Sequence, residues 1–109
     1  MTDRGWKRSE RRVAAILGGE RVPITGRQRG DAPDIRHAWL SPEVKHRAKL
    51  PNWLDDSLAQ ARAAARDGQL PIVVLHEAGS RHDDNLVLVR LADFREWFGG
   101  VESADSKPR

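Results

Sequence analysis

The chain has 109 residues, 39% of them apolar, enough for one compact core and too few for two. No run approaches the roughly 18 to 20 apolar residues of a membrane span, and the first eight residues lack the apolar centre of a secretory signal, so a soluble, cytoplasmic protein is expected. Cysteine is absent, which excludes disulfides and thiolate metal sites; the net charge of +3 is carried mainly by arginine, the side chain best shaped for phosphate, and the pI is near 9.9. The charge leans toward nucleic acid, although a solvated arginine-rich surface explains it equally well.

Trp6, Val13, Ala14 and Leu17 recur at helical spacing and Gly18-Gly19 follows, predicting a helix from Arg4 to Leu17. Glu10 lies four residues after Trp6 and seven before Leu17, which turns its carboxylate toward the apolar face. A carboxylate there needs a partner or a cation, unless it sits at the stripe's edge and pairs with Arg8 or Arg12 in solvent. Arg21 to Thr25 reads as a first strand, with Pro23 placing it at an edge or a strand start, and residues 26–32 as a polar glycine-bearing loop containing Arg27 and Arg29.

Asp34 to Trp39 and Ser41 to Arg47 read as two further strands, with Glu43, Lys45 and Arg47 on one face. Pro51 opens a second helix with Leu54, Leu58, Ala61 and Ala65 as its stripe and Asp67-Gly68 as its end. The β-branched run Leu70 to His76 predicts a strand buried on both faces, followed by a polar loop, a strand over Leu86 to Arg90 and a short helix over Asp93 to Phe98. The order α-β-β-β-α-β-β-α predicts one α/β domain over residues 1–100, with a central mixed sheet flanked by helices and a mobile tail over 101–109.

Pro33-Asp34 followed by Glu43-Val44-Lys45 brings two carboxylates and a lysine to adjoining strand ends. Phosphodiester hydrolysis calls for a hard cation, Mg²⁺ or Mn²⁺, which carboxylates such as Asp34 and Glu43 bind; Lys45, on the face of Glu43, would orient water or stabilise the crowded phosphate. None of His37, His46, His76 and His82 has zinc-site spacing, and structural or exposed roles are expected for them. Trp39 and Trp53 suit base stacking or, more often, core and dimer contacts.

At these residues the sequence resembles the PD-(D/E)xK nuclease superfamily and, over about Trp6 to Trp97, the small archaeal and phage Holliday junction resolvases. The elements of likeness are Glu10 in the first helix, the basic loop over 26–30, Pro33-Asp34-Ile35, and Glu43-Val44-Lys45 followed by His46-Arg47. The resemblance implies a restriction-endonuclease-like fold and a metal site of Asp34, Glu43, the Val44 carbonyl and Glu10. It further implies a homodimer making paired cuts in branched DNA, with no small-molecule cofactor. Arg27, Arg29, Arg36, Arg47 and Lys49 would follow phosphates. Where the family often has a serine near the scissile phosphate, the nearest hydroxyl is Thr25; Gln60 occupies the second helix, where related nucleases place a glutamine near the metal, and also suits an ordinary helix surface. A nicking, flap or restriction-type enzyme would share these residues, and a non-catalytic binding protein would be expected to lose one of them.

Overall fold

The computed structural model describes residues 5–22 and 34–99, a mixed α/β arrangement of three helices and two small antiparallel sheets. The contacts divide the chain into two compact units, Met1–Ala48 with Gly99–Arg109, and Lys49–Phe98. No helix among the described residues is long and apolar enough to cross a membrane.

In the first unit α1 spans Gly5–Leu17; of the stripe expected from its sequence Ala14 and Leu17 are buried, with Glu10 beside them, while Val13 is half-buried and Trp6 is exposed. Its end is closed by glycine. Gly18 adopts φ 80°, a conformation costly for a residue with a Cβ, and the Gly18 and Gly19 amides reach the Ala15 and Ala14 carbonyls at 3.4 and 2.9 Å, satisfying groups the helix leaves open. The chain then enters β1 (Glu20–Arg21), which pairs antiparallel with β2 (Ile35–Arg36), Glu20 opposite Arg36 and Arg21 opposite Ile35. One more bond, Val22 N–H to the Asp34 carbonyl at 2.9 Å, extends the ladder. Ile35 is wholly buried, with Ala14 and Leu17 the other buried apolar residues described in this unit. His37 fastens the turn after β2 to the end of α1: its Nε2 donates to the Leu17 carbonyl at 2.8 Å, and its Nδ1 accepts the Trp39 and Leu40 amides.

The second unit starts with α2 (Asn52–Ala64), entered through Pro51, whose φ of −58° suits a helix start. It ends before the expected Asp67-Gly68. Ala65 is extended, and the Gln69 side chain accepts the Arg66 amide at 2.9 Å, a local bond that competes with another helical turn. β3 (Val73–Leu75) pairs antiparallel with β4 (Leu86–Leu88), Val74 opposite Val87. At the next position His76 Nδ1 meets Asn85 Oδ1 at 2.7 Å, and the turn between carries a short 3₁₀ segment, His82–Asp84. α3 (Leu91–Phe98) is tied to α2 by the Arg62–Asp93 ion pair, and Arg90, just before it, reaches Asp55 at 3.1 Å. Leu58 of α2 is buried.

Three expectations need correction. The described strands form two separate two-stranded antiparallel sheets in place of one central mixed sheet. The run Leu70 to His76 is not buried on both faces: Ile72 and Val74 are 41% and 52% exposed, because among the described residues β4 is the strand that pairs with β3, and α2 packs against it on one side. Residues 41–47 form no strand, since Val44 gives its amide to the Asp34 side chain and not to a neighbouring backbone. Arg4, residues 23–33 and the tail over 101–109 lie outside the described residues.

Candidate active site

Two buried carboxylates stand out in the first unit, Glu10 and Asp34, at 4% and 7% exposure the buried polar residues described. Glu10 is carried inward by the helical register. Its Oε1 accepts the Arg21 Nε–H at 2.8 Å, and both side chains are largely shielded. The pair offsets the desolvation cost that a lone buried carboxylate would impose, so Arg21 is the structural answer to the question Glu10 raises in the sequence. Arg21 is also the β1 partner of Ile35, next to Asp34, so one ladder position links the Glu10 ion pair to the Pro-Asp motif.

Asp34 is held at both ends of the residue. Its backbone carbonyl accepts Val22, and its Oδ2 accepts the Val44 N–H at 2.8 Å. Val44 lies between Glu43 and Lys45, so this bond joins the two halves of the motif across ten positions of sequence. Glu43 and Lys45 project on the same side and pair with each other at 3.3 Å, with side chains 61% and 66% exposed. An exposed pair of this kind contributes about 0 to 1 kcal/mol, and either partner exchanges readily for a substrate or an ion.

The donor chemistry fits a hard divalent cation: the carboxylates of Asp34 and Glu43, with the Val44 carbonyl, are oxygen ligands of the kind Mg²⁺ prefers. Glu10 holds Arg21 through Oε1, so it would join them by sharing its carboxylate between Arg21 and the cation or by releasing Arg21. Among the described residues no three His, Asp or Glu side chains are already gathered as a metal centre.

Of the residues expected along the nucleic acid, Arg36 pairs with Glu20 at 3.0 Å on the surface, Arg47 is exposed and bonds the His46 carbonyl, and Lys49, in the second unit, donates to Asn52. Arg27, Arg29 and Thr25 lie outside the described residues. Gln60 is exposed on α2, in the second unit. Trp39 and Trp53 are 59% and 52% exposed. One structural role escaped the sequence, that of Arg21, and His46, expected to be structural or exposed, gained a specific partner. Arg21 is one charge among many until the fold sets it on Glu10; His46, whose Nδ1 meets Ser9 Oγ at 2.8 Å, lies thirty-seven residues from its partner.

Compared with protein-family models, with curated proteins and with solved structures, the chain matches none.

Proposed function

We propose that the protein is a metal-dependent, structure-selective DNA endonuclease of the PD-(D/E)xK type on a restriction-endonuclease-like fold, acting in the cytoplasm as a homodimer on four-way junctions. The observation that carries this reading is the Asp34–Val44 bond, which draws a buried aspartate to the Glu-Val-Lys segment. Asp34, Glu43, the Val44 carbonyl and Glu10 would hold Mg²⁺ or Mn²⁺. Such an ion supplies charge neutralisation at the phosphate and an acidified water. Lys45, exposed beside Glu43, offers an ammonium that orients the attacking water or balances negative charge building on the phosphate oxygens.

A four-way junction takes two symmetric cuts, which a two-fold dimer of a one-site chain provides. Four-way, forked and linear DNA compared side by side in Mg²⁺ test the reading. Paired incisions are expected in the junction and none with Asp34→Asn. Equal cutting of linear duplex removes the junction preference and leaves a nicking, flap or restriction-type enzyme.

One observation favours a second reading, a non-catalytic nucleic-acid-binding protein: Arg21 already satisfies Glu10. Calorimetry separates the two. The nuclease reading expects divalent-ion binding that is lost with Asp34→Asn or Glu43→Gln, and absence of such binding favours the second.

A further inference from the structure

The outer side of α1 presents an open groove of about 580 Å³ bordered by Arg8, Ser9, Arg12, Val13, Ile16 and His46. We propose that this groove is a binding track for one strand of a nucleic acid, continuing from the Glu43-Val44-Lys45 segment onto α1. The inference rests on the reading of the chain as a DNA-acting protein and names a surface that the motif residues do not include.

The groove is assembled by contacts distant in sequence. Ser9 Oγ and His46 Nδ1 meet at 2.8 Å, and the imidazole lies so close to the first turn of α1 that a Cβ on Gly5 would stand 2.9 Å from His46 Nε2. Gly5 therefore admits the ring, and the ring fixes the chain that bears Lys45 and Arg47 on either side of it. Arg8 and Arg12 are one helical turn apart, on the same side of α1, with about 5 to 6 Å between their Cβ atoms. Both are exposed and form no ion pair among the described residues. Two guanidinium groups on long stems suit neighbouring phosphates of one strand, and Val13 and Ile16 give the floor an apolar surface for sugar edges. Glu10, the acidic residue between the two arginines, points to the other side of the helix and is held there by Arg21.

The test is binding of a labelled four-way junction, a fork and a linear duplex in EDTA, followed by fluorescence anisotropy across a salt series, for the wild-type chain and for Arg8→Gln/Arg12→Gln. Each phosphate contact adds about 0.9 to the slope of log affinity against log salt, so the double variant is expected to lower that slope by about 2 and to weaken binding about tenfold or more, alike for all three DNAs. Arg8→Lys/Arg12→Lys, which retains the charges, is expected to keep the slope. Should the double variant fail to fold, Arg12→Gln alone is expected to lower the slope by about 1.

An unchanged slope and affinity in the glutamine variants overturns the inference, as does absence of DNA binding by the wild-type chain. The outcomes for the two readings separate. Wild-type protein that binds through Arg8 and Arg12 but never cuts in Mg²⁺ ends the nuclease reading and keeps the groove; cutting with full affinity in the glutamine variants ends the groove and keeps the nuclease.

Discussion

Asp34 has two duties that substitution can part. As a buried acceptor it satisfies the Val44 amide, and under the proposed nuclease reading its carboxylate would also offer charge to a cation. Asp34→Asn keeps an oxygen for the amide and is expected to stay folded while losing Mg²⁺-dependent activity. Asp34→Ala leaves the Val44 N–H without that acceptor and is expected to cost about 1 to 3 kcal/mol, read as a lower denaturant midpoint than the asparagine variant shows. Arg21 gives the complementary case. Arg21→Met removes the partner of a buried carboxylate and is expected to destabilise by about 3 kcal/mol, the low end for a broken buried pair since the arginine is 17% exposed. Adding Glu10→Leu to that variant removes the stranded charge and is expected to recover most of the loss; a double variant as weak as the sum of the singles would show that the two side chains do not act as a pair.

The junction of α1, β1 and β2 depends on how closely the backbone passes at Gly19. A Cβ there would stand 2.5 Å from the Arg36 carbonyl oxygen and 2.8 Å from Ile35 Cγ2, and the oxygen belongs to backbone that cannot swing aside. Gly19→Ala is expected to push β1 from β2 and lower stability by about 1 to 3 kcal/mol, with a drop in activity, because the ladder that shifts also sets Arg21 and Asp34. Thermal unfolding and cleavage measured on the same preparation check both effects. The helices were legible at this scale because a turn of helix writes its own periodicity into neighbouring residues: the α1 stripe, its glycine stop and the Pro51 entry to α2 all follow from local chemistry. Strands were less legible. The pattern over residues 41–47 alternates as a strand does, yet a strand is defined by the neighbour it bonds, and here the amide of Val44 found a side chain.

For the whole molecule, the homodimer reading carries its own expectation: sedimentation of the free protein should give twice the chain mass, and each junction should receive two opposed cuts. A monomer that nicks once per encounter would overturn it. The sequence by itself determined the mixed α/β character and the approximate helix positions and suggested the candidate chemistry, because hydrophobic period, caps and residue types are properties of short stretches of chain. It also posed the problem of Glu10, a carboxylate on an apolar face. Only the tertiary structure decided the rest. It supplied Arg21 as the counter-charge, brought Asp34 to the Glu-Val-Lys segment through one backbone amide, and divided the described strands into two pairs where a single sheet was expected. Those outcomes depend on which distant groups meet, and burial makes each meeting consequential: a polar atom taken from water must find its partner, and the chain path decides which partner is within reach.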